Sequence, residues 1–228
     1  MNYIETAFDA IFLVFMLGSG FVLLLKARTR TEWLMGPAVL SVGLGSALLL
    51  GVWAVSHFSG DLPAGAFGTG RLISAISLPV FYVLMFYIRA GVYSRRVPNQ
   101  TVWLVWLLAA VSVIACMFPQ NHFWEGDFPK TWAVIRLVPQ ALLGLLVIFV
   151  WFERKHKLKR FRFVWILMLL ALLLYIPAEL SRGYGSKLYF LLIPCAVCYM
   201  LLAALFINAV LKPVEEEKEH VSREAKKN

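Results

Sequence analysis

Residues 131–162 have the sequence TWAVIRLVPQALLGLLVIFVWFERKHKLKRFR. The first part, from Thr131 to Phe152, is apolar over the ~20 residues that a helix needs to cross a bilayer. The second part, from Glu153 to Arg162, is dense in lysine and arginine. An apolar span followed by a short basic connector is typical of a helix that ends at the cytoplasmic face of a membrane.

The same pattern recurs along the chain and predicts an all-α integral membrane protein, a seven-transmembrane helix bundle. The predicted spans are roughly Ala7 to Leu25, Trp33 to His57, Arg71 to Ile88, Thr101 to Phe118, Thr131 to Phe152, Phe163 to Leu180 and Lys187 to Leu211. Hydrophobic residues make up 61% of the chain, and the connectors are short. We therefore expect one membrane domain over residues 1–212 and a charged cytoplasmic tail over residues 213–228.

The distribution of basic residues predicts the orientation. Most of the 22 lysines and arginines lie in alternate connectors and in the tail, so the N-terminus is expected outside and the C-terminus in the cytoplasm. The net charge of +9 then faces the anionic lipid of the inner leaflet and does not indicate a nucleic-acid partner. We expect a multi-pass protein of the plasma (inner) membrane, surrounded by the lipid bilayer, as a monomer or homodimer.

Polar residues inside the predicted spans are the candidate functional residues. Arg136 lies about a turn and a half inside span five, Gln140 follows one turn deeper, and Glu179 lies near the outer end of span six. A charge at this depth must be paired or hydrated, so each is a site hypothesis. The simplest arrangement is an ion pair between Arg136 and Glu179 that clamps two helices together.

The alternative hypothesis is a polar pocket that opens outward. Under it, six side chains bind a small polar or anionic ligand from outside: Arg71, His122, Arg136, Gln140, Glu179 and Tyr184. Prolines in the outer halves of spans three, five and seven favour such a pocket, because each kinks its helix and deprives the carbonyl four residues earlier of its partner. The freed carbonyls are those of Ala75, Ile135 and Phe190, and they need partners inside the protein.

Two further patterns concern packing. Gly43, Ala47 and Gly51, with Ser41 and Gly45 on an adjacent stripe, let a neighbouring helix approach span two closely, and we favour a neighbour in the same chain over one in a second protomer. The cysteines, Cys116, Cys195 and Cys198, all fall within spans and are interpreted as free, buried thiols.

Several reaction centres have no counterpart in the sequence. Span seven has no central lysine to carry retinal, the histidines lie at or beyond span ends where they cannot ligate a haem, and the chain has no HExxH motif and no glycine-rich phosphate loop. We therefore expect a protein that is not an enzyme and has no cofactor or metal.

Three segments resemble the seven-transmembrane sensor region of bacterial histidine kinases and related signalling proteins. They are Phe81 to Tyr87 after the span-three proline, Phe118 to Trp124 at the exit of span four, and Leu211 to Glu215. The resemblance implies that the membrane region senses a ligand or a membrane state and passes the change to the cytoplasm through the last helix. It points to the turn from Asn121 to Trp124 and to the junction at Pro213.

The chain departs from that family after Pro213, where only Val214 to Asn228 follow, without a phosphoacceptor helix or a nucleotide-binding domain. The leading hypothesis is a non-enzymatic sensor or receptor-like module that signals through a cytoplasmic partner, coupled by span seven and the loop from Glu153 to Arg162. A small-solute transporter is the first alternative, although the span centres are apolar apart from Asn208. An accessory subunit of a membrane complex is the second.

Overall fold

The structure, a computed structural model, describes residues 3–59, 64–93, 97–123, 129–153, 159–181 and 190–211. This part of the chain is helical and holds no strand. The helices are α1 (Tyr3–Lys26), α2 (Arg30–Ser59), α3 (Ala64–Val92), α4 (Asn99–Met117), α5 (Lys130–Phe152), α6 (Val164–Ser181) and α7 (Leu192–Leu211). The expected start of span seven at Lys187, the side chain of Tyr184 and the tail from 213 lie outside the described residues.

Six of these helices are long and apolar enough to cross a membrane: α1, α3, α4, α5, α6 and α7. The prediction of an all-helical membrane protein is therefore confirmed for the described part of the chain. Their ends lie within seven residues of the predicted span ends, and the largest difference is at α3, which begins at Ala64 rather than Arg71.

Local sequence explains several helix ends. Thr29 and Glu32 form a reciprocal cap at the start of α2: the Glu32 amide donates to Thr29 Oγ1 at 3.2 Å, and the Thr29 amide donates to Glu32 Oε2 at 3.3 Å. At the other end of the bundle, α4 stops at Met117 because Phe118 precedes Pro119 and adopts the extended backbone that proline imposes on its neighbour.

The helices follow one another around a closed ring in chain order, and α7 packs against α1 to complete it. Consecutive helices are antiparallel, so α1, α3, α5 and α7 run in one direction. We call the end where α1 begins the N-terminal end of the bundle and the end where α7 finishes the C-terminal end. In addition to its ring neighbours, α3 contacts α5, and it contributes Phe81, Tyr82 and Phe86 to the core.

Glycines of α2 let this helix approach both neighbours. A Cβ atom on Gly43 would lie 3.1 Å from Met16 Cβ of α1, and one on Gly45 would lie 2.7 Å from Ser77 Cβ of α3. The close approach expected from this stripe thus occurs within the same chain at both positions. Gly51, by contrast, has open space beside it.

Candidate functional site

A buried ion pair joins α5 and α6 near the N-terminal end of the bundle. Arg136 is 2% exposed and Glu179 is 9% exposed, and Nη2 of the guanidinium lies 2.7 Å from Oε1 of the carboxylate. A charge-assisted hydrogen bond of this length offsets part of the cost of removing both ions from water. The predicted pair is confirmed, and it neutralises the charge of Arg136.

The turn after α4 covers a second side of the guanidinium. Nη1 of Arg136 donates to Oδ1 of Asn121 at 3.5 Å, and the ring of Phe123 lies 4.8 Å from the guanidinium carbon. An aromatic face at this distance attracts the cation. Arg136 therefore contacts the turn as well as α6.

Asn121 also caps α4. Its Nδ2 donates to the carbonyls of Ala115 at 2.7 Å and Phe118 at 3.0 Å, near the helix end where carbonyls have no helical partner. His122 follows with a positive φ of 48°, and its amide donates to Pro119. This left-handed residue reverses the chain and directs Phe123 back into the bundle, where it is 2% exposed.

Arg71 contacts the same turn from α3. Its Nη1 donates to the carbonyl oxygen of Phe123 at 3.4 Å. Phe123 is thus shared by two arginines, with its carbonyl bonded to Arg71 and its ring against Arg136. It packs in a small apolar cluster with Ala75 and Cys116.

Gln140 links α5 to α3 one turn deeper. Its Nε2 donates to the carbonyl oxygen of Ala75 at 2.9 Å. This is the carbonyl that Pro79 deprives of its helical partner, so the expected need for a partner is met by a side chain of another helix. Oε1 of Gln140 and Nε of Arg136 are buried, and neither has a hydrogen-bond partner among the described residues.

The structure brings together four of the six predicted site residues around Phe123 and the ion pair: Arg71, Arg136, Gln140 and Glu179. His122 is half-buried in the turn beside them, and Tyr184 lies outside the described residues. Sequence reasoning missed Asn121 and Phe123 as individual contacts, although it selected their turn. The signal was an asparagine two residues after a helix-ending Phe-Pro pair, since asparagine side chains often bond to free backbone groups at turns.

A second network lies at the C-terminal end of the bundle. Nε1 of Trp151 donates to the carbonyl of Met85 at 3.1 Å, and Arg89 lies 3.8 Å from Glu153. These contacts join α5 to α3 again. Gln140 and Trp151 are about 16 Å apart along α5 at 1.5 Å per residue, so α5 bonds to α3 at its middle and near its C-terminal end.

The basic connector contacts the end of α7. Nη1 of Arg160 donates to the carbonyl oxygen of Ala209 at 2.9 Å. Ala209 lies in the last turn of α7, where carbonyls lack helical partners and attract a cation. The connector between α5 and α6 is therefore bonded to the last described helix.

The bundle centre contains polar groups that we did not expect. Tyr82 of α3 is 1% exposed and Tyr199 of α7 is 7% exposed, and neither hydroxyl makes a hydrogen bond of standard geometry within the described part of the chain. Tyr82 packs against Gly144, where a Cβ atom would lie 3.0 Å from its Cζ. Asn208, the polar residue that the sequence places in the inner half of α7, lies on an exposed face, whereas both tyrosines are buried.

The chemistry of these side chains favours binding and positioning. Among the described residues, no group of three histidine, cysteine, aspartate or glutamate side chains could hold a metal ion. The cysteines are buried and unbonded to one another. Arginine, glutamine and asparagine side chains around a neutralised ion pair offer hydrogen bonds to a ligand or to other helices.

Fold and site together define a multi-pass α-helical membrane protein with a buried polar network near one end. The chain matches no protein-family model, no curated protein and no solved structure.

Proposed function

We propose that the chain crosses the membrane seven times, with the N-terminal end of the bundle outside and the C-terminal end in the cytoplasm. The span added to the six apolar helices is α2, which lies alongside α1 and α3, two helices that are long and apolar enough to cross a membrane. Its Gly36 and Gly43 oppose Gly20 and Met16 of α1, and its Thr31 contacts Gly91 of α3. A helix that follows both neighbours over this length crosses the same layer as they do. The basic connectors support the orientation.

We further propose that the protein is a non-enzymatic sensor module. Near the outer face it responds to a small ligand or to the state of the membrane, and the response reaches the cytoplasm. The observation that carries this proposal is the position of α5. One end of this helix holds the buried Arg136 network, and the other end holds Trp151 and Glu153, which contact α3.

α5 continues through Pro139 from the first set of contacts to the second, and a continuous helix with polar contacts on both sides of a proline can transmit a movement between them. Any event that alters the bond between Arg136 and Glu179 changes the position of α5 relative to α6. A displacement of α5 also displaces α3, because Gln140 and Trp151 bond to the backbone of α3.

The proposed output is a cytoplasmic signalling protein that binds the loop from Glu153 to Arg162 and the end of α7. The hydrogen bond from Arg160 to Ala209 supports this assignment, because it holds the connector against the last turn of α7, so that a partner could contact both at once. The lysines and arginines of the loop favour an acidic partner or anionic lipid.

The test replaces Glu179 with glutamine in the full chain, purified in lipid nanodiscs. Spin labels at Phe149→Cys on α5 and Leu211→Cys on α7 report the distance between the two helices near the C-terminal end. Both native residues are exposed, whereas the native cysteines are buried and should label poorly. Removing the carboxylate charge should shift the distance by ~1–2 Å, the size of a typical helix shift.

The matched control is Gln120→Glu, which changes charge by one unit at an exposed position at the same end of the bundle. It should leave the distance unchanged. If Glu179→Gln folds and also leaves the distance unchanged, the ion pair is only a structural clamp and the sensor proposal is wrong.

A further inference from the structure

Two complementary hydrogen-bonding groups of α5 lie one helical turn apart, and neither has a partner in the part of the chain that the structure describes. Nε of Arg136 is a donor, and Oε1 of Gln140 is an acceptor. The residues are 2% and 1% exposed, so bulk water does not satisfy either group. Buried polar groups in proteins are nearly always hydrogen-bonded, because leaving one unsatisfied destabilises the fold, so a third group is expected between them.

The helix geometry suits a single bridging atom. Side chains four residues apart lie on the same face, with Cβ atoms about 5–6 Å apart. Two hydrogen bonds of ~2.8–2.9 Å that meet at one oxygen join a donor and an acceptor about 4.5–5 Å apart. Because Arg136 and Gln140 leave α5 on the same face one turn apart, an oxygen between them is the smallest group that would bond to both.

The remaining contacts of the two side chains restrict the charge of this group. The carboxylate of Glu179 lies 2.7 Å from Nη2 of Arg136 and already neutralises the positive charge of Arg136. Asn121 accepts from Nη1, and the amide nitrogen of Gln140 donates to Ala75. An anion could accept from Nε, but it would face the carbonyl oxygen of Gln140 and compete with Glu179.

We propose that Arg136 and Gln140 bind one neutral hydroxyl group, which accepts from Nε and donates to Oε1. The hydroxyl belongs to a water molecule or to a small alcohol or polyol from the outer side. This inference rests on the proposed function, because it narrows the ligand of the sensor from a polar or anionic molecule to a neutral hydroxyl. An ionised carboxylate does not fit, since it has no proton to donate to Oε1 of Gln140, and a phosphate would bring a second negative charge beside Glu179.

The experiment observes the Arg136 Nε–H proton directly. The full chain is labelled with ¹⁵N-arginine in nanodiscs, and cross-relaxation from each Nε–H to solvent protons is recorded in water alone and with ethylene glycol. Arg136→Lys assigns the resonance, since lysine keeps a cation beside Glu179 but lacks Nε–H. If that variant does not fold, the shift of the resonance in Glu179→Gln assigns it.

A cross-peak to water that ethylene glycol leaves in place supports bound water. A cross-peak that moves to the methylene protons of ethylene glycol supports a ligand hydroxyl. In both cases Gln140→Met should abolish the cross-peak. A slowly exchanging Nε–H without a cross-peak to either probe, or one lost only on adding inorganic phosphate, overturns the inference.

Failure of this inference is distinguishable from failure of the proposed function. A dry Nε–H together with a helix shift in Glu179→Gln rejects the hydroxyl site alone. A bound hydroxyl together with no helix shift in that variant rejects the sensor proposal and leaves the hydroxyl site as part of a structural clamp.

Discussion

The side-chain amide of Gln140 donates a 2.9 Å hydrogen bond to the carbonyl oxygen of Ala75, four residues before Pro79. The proline of α3 and the glutamine of α5 are thus coupled through a carbonyl that belongs to neither. A kink that would otherwise expose a backbone group to hydrocarbon becomes an attachment point between two parallel helices.

A double-mutant cycle tests this coupling. Gln140→Leu alone leaves the Ala75 carbonyl without a partner and should lower the free energy of unfolding by about 1–3 kcal/mol. In a Pro79→Ala background residue 79 again supplies an amide to Ala75, so the same change should cost about 1 kcal/mol less. Unfolding in sodium dodecyl sulfate measures both. Equal costs in the two backgrounds would show that Gln140 stabilises α3 in some other way.

The ion pair should be much more sensitive to the loss of one partner than of both. Arg136→Met removes the countercharge that lies 2.7 Å from the buried Glu179 carboxylate and should cost about 3–5 kcal/mol. Adding Glu179→Leu removes the carboxylate as well, so the double variant should recover most of the lost stability. Thermal unfolding of the three variants in nanodiscs checks this. Additive losses would mean that the carboxylate is satisfied without Arg136.

The packing of α2 on α3 predicts a strong position effect for alanine. A Cβ atom at position 45 would lie 2.7 Å from Ser77 Cβ, so Gly45→Ala should cost about 1–3 kcal/mol. Gly18→Ala is the control, because open space lies beside Gly18 on α1 and alanine favours helix there. The unfolding midpoints of the two variants are compared, and equal midpoints would contradict the close contact between α2 and α3.

At Tyr199 the contributions of the ring and of the hydroxyl to stability can be measured separately. Its ring meets Phe81 edge to face at 5.4 Å, whereas its hydroxyl makes no hydrogen bond of standard geometry to any residue that the structure describes. Tyr199→Phe should therefore leave stability unchanged or raise it by up to about 1 kcal/mol, and Tyr199→Ala should cost about 3–5 kcal/mol. A marked loss in Tyr199→Phe would reveal a partner for the hydroxyl, such as buried water.

The contact between Arg160 and Ala209 should slow the opening of the last turn of α7. Arg160→Ala should increase amide hydrogen exchange in that turn about fivefold, which corresponds to the ~1 kcal/mol of a net hydrogen bond. Arg162→Ala is the control, because Arg162 is a nearby arginine of the same connector that lies against the ring of Phe163. Equal exchange in both variants would indicate that the connector does not hold α7.

The pair of Arg136 and Glu179 shows how far sequence reasoning extends. Rise per residue is constant along a helix, so counting from the span ends places both side chains at similar depth. Depth alone predicted their meeting, because an unpaired charge in hydrocarbon is costly. Depth did not predict that Asn121 and Phe123 would occupy the other sides of the guanidinium, since a turn is not part of the regular repeat.

The sequence by itself determined the helical class, the helix lengths and the depth of each polar side chain, because hydropathy and helix rise are local properties of the chain. Tertiary structure decided which helix each polar group meets. Gln140 reaches Ala75 rather than Glu179, and Tyr82 meets Gly144, through the rotation and lateral position of each helix in the ring. The rotation and lateral position of a helix depend on contacts between residues far apart in sequence. The sequence alone does not predict these contacts, because the apolar faces of the helices are too similar to one another.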